Sequence, residues 1–249
     1  MEIIKSRAND TVKMLKKLDQ KKFRNEQGLF LVEGQKMLKD CLHAGFEIVL
    51  VAVSESKIND YKEFLNISKT VVLQDEILQY LSGTVTSQGI LAAVKYIKNK
   101  PKLPKNDSLI LDNISDAGNV GTIIRTAAAA DILDIYLINC ADPYSPKTIR
   151  STMGGIFFTR IYDIDFAFLD EIEKASIILG ADMQGTVFKD YKLEDRPFCL
   201  AIGSEANGLS EYVRKKCCQF LSIPMKNTES LNAAVSAGVL MYYLKSKEF

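Results

Sequence analysis

Five runs in the second half of this chain are apolar over most of their length: LILDNI (109–114), DIYLINC (134–140), SIILGAD (176–182), FCLAIG (198–203) and FLSIPM (220–225). A strand with water on one face alternates polar and apolar residues, whereas a strand covered on both faces does not. Between these runs lie segments with helical spacing: one from about Val120, a short one at TIRSTMG (148–154), Leu169 to Ala175, SEYVRKKC (210–217) and SLNAAVSAGVLMYYLK (230–245). The alternation predicts an α/β fold with a parallel sheet between two layers of helices. In such sheets ligands bind beyond the carboxyl ends of strands, so the loops that follow strands are where chemistry should lie.

The first half also alternates. LFLVEG (29–34), EIVLVAVSE (47–55), TVVLQ (70–74) and GILAAVKY (89–96) read as strands. GQKMLKDCLHAG (34–45) reads as a helix with Met37, Leu38, Cys41 and Leu42 on one face, and a basic helix leads the chain. KNKPKLPKNDS (98–108) holds two prolines and five charged residues with no apolar period, so it reads as a linker. The expected division is a domain over 1–97, a linker over 98–107 and a second domain over 108–249.

Composition narrows the chemistry. No apolar run reaches the roughly 18 residues of a membrane span, and the basic N-terminus lacks the apolar core of a secretory signal, so a cytoplasmic protein is expected. The single histidine, His43, and five cysteines without CxxC spacing argue against a metal site and against any histidine-based triad. Cys140 and Cys199 read as small core residues. Charge is uneven: residues 1–107 hold 18 Lys and Arg against 13 Asp and Glu, and the first 24 residues hold 8 against 3. Alone, such an arm is most simply a solvated helix face; with a phosphate-bearing partner it is a binding patch.

Three loops that follow strands carry the candidate site. DAGNVGTIIRT follows LILDNI; Asn119 stands at a helix start, and Arg125 sits among small and apolar residues. IGSEANGLS (202–210) brackets Ser204 and Glu205 between Gly203 and Gly208, which could bare backbone N–H groups to a ligand. SIPMKNTESLNAAVSAG (222–238) runs from a strand ended by Pro224 into a helix of small residues, with Ser230 and Asn232 at its mouth. Each loop alone has an ordinary structural explanation; three at strand ends in one domain point to a site.

In this order and spacing, NVGTIIRTA, GSEANGLS and IPMKNTESLNAAVSAG resemble the three motifs of the SpoU (TrmH-like) RNA ribose 2′-O-methyltransferases of the SPOUT superfamily. DPYSPKTIRSTMGGIF (142–157) is similar to the family's segment between the first and second motifs, and FLVEGQKMLKDCLHAGFEIVLVAVSE (30–55) to its L30e-like substrate-binding domain. The resemblance implies a C-terminal α/β domain with a deep trefoil knot, a homodimer, and S-adenosyl-L-methionine as cofactor. It implies that Gly203, Ile223, Met225, Leu231 and Asn232 line the cofactor pocket, and that Asn119, Arg125, Glu205, Ser230 and Asn232 form the reaction site. The chain departs from the family pattern at Ser204, Asn207 and Ala233–Ala234, none of them a presumed reaction residue.

The implied reaction is an in-line displacement at a sulfonium methyl by a ribose hydroxyl. Aligning the reactants can supply roughly 7–11 kcal/mol of barrier reduction. Arg125 is a fork of donors suited to a phosphate or ribose oxygen, with Glu205 expected to orient it; a guanidinium is a poor base. The alternative for Arg125 is a structural salt bridge to Glu205 or Asp116. With RNA as substrate, Lys13, Lys16, Lys17, Lys21, Lys22 and Arg24 become candidate phosphate contacts. The expected activity is 2′-O-methylation of structured RNA, foremost 23S ribosomal RNA. The alternatives are a transfer-RNA ribose methyltransferase and a catalytically silent RNA- or ribosome-binding protein of the same fold.

Overall fold

A computed structural model describes residues 2–96, 98–194 and 196–246. In chain order the elements are β1 (Ile3–Ile4), α1 (Asp10–Lys17), α2 (Lys21–Gln27), β2 (Leu29–Glu33), α3 (Gln35–His43), β3 (Ile48–Ser54), β4 (Lys69–Leu73), α4 (Asp75–Leu81) and β5 (Ile90–Lys95). There follow β6 (Ser108–Asp112), α5 (Ala117–Ala129), β7 (Asp134–Ile138), α6 (Pro146–Thr152), β8 (Arg160–Asp163), α7 (Phe166–Ala175), β9 (Ile177–Val187), β10 (Phe198–Gly203), α8 (Glu211–Lys216), β11 (Gln219–Ser222) and α9 (Ala233–Leu244). They form two compact units, one of Met1–Ile97 with Tyr144–Phe157, the other of Lys98–Pro143 with Phe158–Phe249.

The first unit holds a mixed sheet in the order β1-β4-β3-β5-β2, with β5 antiparallel to both neighbours. The basic leader is two helices rather than one. Asn9 caps α1, accepting from the Thr11 N–H at 2.9 Å, and Val12, Leu15 and Leu18 are fully buried. On α3, Leu38 and Cys41 are buried, but Leu42 is exposed, so the apolar face is narrower than its spacing predicts. Tyr144–Phe157, expected within the second domain, belongs to this unit. Aromatic packing explains why: the Tyr144 ring stacks on Tyr96 at 4.5 Å and lies 5.2 Å from Phe30, and Phe157 meets Phe46 at 5.2 Å.

The second unit holds a sheet in the order β11-β9-β10-β6-β7-β8, parallel throughout. Its core runs through Ile110, Tyr136, Ile178 and Ala201, all essentially inaccessible to water. Edge strand β8 carries no long apolar run, because RIYD is short and alternating; Arg160 holds it to β7 through a two-pronged bond to Asp134, at 2.6 and 2.9 Å. Helix α5 begins three residues before the expected Val120, since the Asp116 carboxylate accepts from the Asn119 N–H at 3.0 Å and so caps the first turn. Helix α9 begins later than expected, at Ala233, because the Asn232 side chain caps it. The stretch read as a linker is engaged: the Tyr136 hydroxyl donates to the Lys102 carbonyl at 2.7 Å.

Cys199 is fully buried, and burial pushes its thiol up to about 12; Cys41 and Cys217 are raised to about 12 and Cys140 to about 11 for the same reason. Such thiols carry almost no thiolate at neutral pH. Cys218 is exposed. A thiol reagent at pH 8 is therefore expected to modify Cys218 quickly and the other four cysteines only after denaturation; rapid reaction of two or more thiols in the native protein would contradict this packing.

Candidate active site

The register of the parallel sheet brings two of the loops together. The last residue of β10, Gly203, pairs with the last residue of β6, Asp112, so the chain leaves both strands side by side. Asp112 is fully buried and ties the exits together: its carboxylate accepts from the Ser210 N–H at 2.6 Å and from the Asn113 side-chain amide at 2.7 Å. The loop after β10 then closes on itself through paired bonds between Ser204 and Gly208, at 3.1 and 2.8 Å. Gly203 lies beneath that closure. A Cβ there would stand 2.1 Å from the Gly208 carbonyl carbon, a backbone atom with nowhere to go, so only glycine fits.

The third loop joins through Glu205. One oxygen of its carboxylate accepts from the Asn119 side-chain amide, from the Asn232 amide at 3.5 Å and from the Ala233 N–H at 3.4 Å. Asn232 also donates to the Asn119 side-chain carbonyl at 2.9 Å, while its own carbonyl caps α9 by accepting from Ala234 at 2.9 Å and Val235 at 3.3 Å. Three expected reaction residues, one from each loop, thus form one hydrogen-bonded cluster. Beside it is a cavity of about 320 Å³, within the range of small-molecule sites. Gly203, Glu205, Ile223, Met225, Ser230 and Leu231 all line it.

Arg125 is placed differently. It is exposed on α5, and among the described residues its guanidinium has no hydrogen bond or ion pair. The expected pairing with Glu205 is therefore not formed, and the alternative salt bridge to Asp116 is not formed either. Arg24 is the other departure. It is 2% exposed and its guanidinium donates to the Leu18 carbonyl at 2.7 Å, closing the turn between α1 and α2, so it is not presented to a surface ligand. Lys16 is partly engaged, 2.9 Å from Asp19 and over the Tyr80 ring, while Lys13, Lys17, Lys21 and Lys22 are exposed.

The sequence reading missed one wall of the cavity. Consecutive residues Phe220 and Leu221 of β11 pair with Gly180 and Thr186 of β9, so Ala181–Gly185 leave the ladder. Asp182 and Met183 from this bulge line the cavity together with Arg214 of α8. Arg214 binds the Asp182 carboxylate and lies 4.7 Å over the Phe220 ring. Burial raises the Asp182 pKa, but Arg214 and the Gln184 N–H outweigh it and hold the carboxyl below its ordinary value. An acid directly after an apolar strand was the available signal, for Asp182 and Asp112 alike.

With this geometry in place, comparison with known proteins is decisive. Residues 107–242 match the SpoU rRNA Methylase family, and residues 9–92 match the MRM3-like substrate binding domain. The chain belongs to the SpoU rRNA methylase family. Bacillus subtilis 23S rRNA (guanosine(2553)-2′-O)-methyltransferase RlmP is 29% identical over 252 residues, covering 98% of this chain and 100% of its own. The crystal structure of an RNA 2′-O ribose methyltransferase is 25% identical, with a TM-score of 0.85 and 99% coverage of both chains. An AdoMet-bound rRNA methyltransferase from Sinorhizobium meliloti has the same fold, with a TM-score of 0.89 over all of this chain and 98% of that one, at 23% identity. The second unit is thus a SpoU methyltransferase fold on a parallel sheet.

Two substitutions probe the site's construction. Gly203→Ala forces the β10 loop open, an overpacking cost of about 1–3 kcal/mol; the expected result is a loss of S-adenosylmethionine affinity of at least about tenfold by calorimetry. Asp112→Ala strands the Ser210 N–H and is expected to lower stability by about 1–3 kcal/mol in urea unfolding. Unchanged donor affinity in the first would refute the role of Gly203, and unchanged stability in the second that of Asp112.

Proposed function

We propose that this protein transfers a methyl group from S-adenosyl-L-methionine to a ribose 2′-hydroxyl of ribosomal RNA, foremost 23S ribosomal RNA. The observation that carries the reading is the Asn119–Glu205–Asn232 cluster beside a cavity that Gly203 and Glu205 line. Membership of the SpoU family and full-length similarity to RlmP support the substrate class. A division of labour goes with it: the unit of residues 1–97 with 144–157 holds RNA, and the unit of 98–143 with 158–249 carries out the reaction in the cytoplasm.

The residues present fit the cofactor. Gly203, Ile223, Met225 and Leu231 offer backbone and apolar surface, and a largely uncharged pocket favours a reaction in which a sulfonium charge is lost. When bound, the cofactor supplies an electrophilic methyl group on sulfur. Glu205 fixes Asn119 and Asn232, so their positions are set before RNA arrives. Ser230 lines the cavity and offers a hydroxyl for a substrate or cofactor oxygen. Arg125, free of protein partners, is available to a phosphate or to the developing alkoxide, where a fixed fork of donors lowers the barrier. Exposed Lys13, Lys17, Lys21 and Lys22 supply longer-range attraction for the RNA, with Lys16 a partner of reduced freedom.

The same proposal includes a homodimer and the trefoil knot. Val235, Val239 and Tyr242 are 50%, 37% and 45% exposed and follow one another at helical spacing on α9, an apolar stripe that a second copy would cover. The knot is supported by the hold of Glu205, beyond β10, on the start of α9, and by the packing of α9 against α5 and β10.

Incubation with labelled S-adenosylmethionine and 23S ribosomal RNA is expected to place label on a ribose 2′ position, read as resistance of one linkage to alkaline hydrolysis. Label on transfer RNA alone, or on no RNA, would overturn the assignment. Arg125→Ala is expected to lower transfer by about 10²- to 10³-fold with a melting shift under about 4 °C, the equivalent of roughly 1 kcal/mol. Val239→Asp is expected to halve the sedimenting mass from about twice 27.8 kDa; a monomeric wild type would refute the dimer.

A further inference from the structure

A second cavity, of about 300 Å³, lies wholly within the first unit. Leu31 of β2 and Met37 of α3, both half-buried, give it apolar surface, and Lys16, Lys147 and Arg150 line it too. Two acids also line it, and both are taken. Asp19 pairs with Lys16 at 2.9 Å. Glu33 accepts from the hydroxyls of Ser82 at 2.5 Å, Thr84 at 3.1 Å and Ser87 at 3.1 Å, and from the Gly83 N–H at 3.4 Å. This carboxylate fixes the loop after α4.

The Arg150 guanidinium packs closely against that loop. A Cβ on Gly83 would fall 2.0 Å from its Nη1, so the close approach depends on the missing side chain. Among the described residues the guanidinium has no hydrogen bond or ion pair. A guanidinium held over an ordered loop, with no protein acid to neutralise it, is matched by a phosphate. Apolar surface in the same cavity is matched by the face of a base. Single-stranded RNA carries both groups in each nucleotide, whereas in a duplex the base faces are stacked away.

We propose that this cleft binds one unpaired nucleotide of the RNA substrate, with the base against Leu31 and Met37 and a phosphate on Arg150. The inference rests on the RNA methyltransferase reading and extends it: the substrate must present a nucleotide out of its stack at a point other than the methylated one. Glu33 is a positioning residue here, since it acts through the loop it organises.

The test compares Arg150→Ala, Arg150→Lys and Gly83→Ala with the wild type, using 23S ribosomal RNA transcribed in vitro. In Gly83→Ala the added methyl meets the far end of a flexible side chain, so the guanidinium is displaced while the backbone stays in place. RNA affinity across a salt series, S-adenosylmethionine affinity and melting temperature are measured for each. Arg150→Ala and Gly83→Ala are expected to weaken RNA binding by roughly tenfold, and Arg150→Ala to flatten the log–log salt slope by about 0.7. Donor affinity should stay within twofold, and Arg150→Lys should recover the slope but not the full affinity. Ultraviolet cross-links should map to peptides holding Leu31, Met37, Gly83 or Arg150. RNA affinity within twofold of wild type in both Arg150→Ala and Gly83→Ala, or cross-links confined to other peptides, would overturn the proposal. The two readings fail separately. A wild type that methylates RNA while Arg150→Ala keeps its KM for RNA sinks the cleft alone. A wild type that methylates nothing, yet loses RNA affinity on Arg150→Ala, sinks the methyltransferase reading alone.

Discussion

One carboxylate oxygen of Glu205 receives three donors from the two other loops: the Asn119 amide from the first, and the Asn232 amide with the N–H that opens α9 from the third. Nothing else in the second unit joins all three loops at a single atom among the described residues. A carboxylate suits the task because it only accepts, and can take several donors without giving one back. Charge also matters here, since the N-terminus of α9 carries partial positive charge that favours an acid beside it.

The sheet makes this convergence possible. Because β6 and β10 end in register, at Asp112 and Gly203, their loops start only a strand's width apart. Buried Asp112 holds Ser210 and Asn113, which ties the end of one loop to the start of the other. On the other flank, the break in the β9–β11 ladder pushes Asp182 and Met183 into the cavity wall. The pocket is thus framed by strand ends and backbone, which hold shape better than side chains on mobile loops.

Two arginines show how context decides the role of one residue type. Arg24 is buried and spends its guanidinium on the Leu18 carbonyl, where it closes a turn. Arg125 is exposed and, among the described residues, makes no hydrogen bond or ion pair, although its sequence surroundings are the more apolar of the two. An arginine among alanines looks buried in the sequence, but a helix has an outer face, and position 125 falls on it beside exposed Thr122 and Ala129.

Much of this protein was legible in its residues. Continuous apolar runs marked the strands of the parallel sheet, because covering both faces removes polar alternation. The three glycine- and asparagine-rich loops marked the site, because close approach and helix capping demand those residue types. What the order of residues could not determine was partnership across space. It could not show that Glu205 would choose two asparagines and a backbone amide over Arg125, or that Asp112 would reach across to Ser210. Nor could it show that Tyr144–Phe157 would pack with Phe30 and Tyr96 instead of with its neighbours in the chain. Those outcomes depend on strand register and on which side chains come within about 3 Å of one another, the reach of a hydrogen bond, and such distances exist only once the chain has folded.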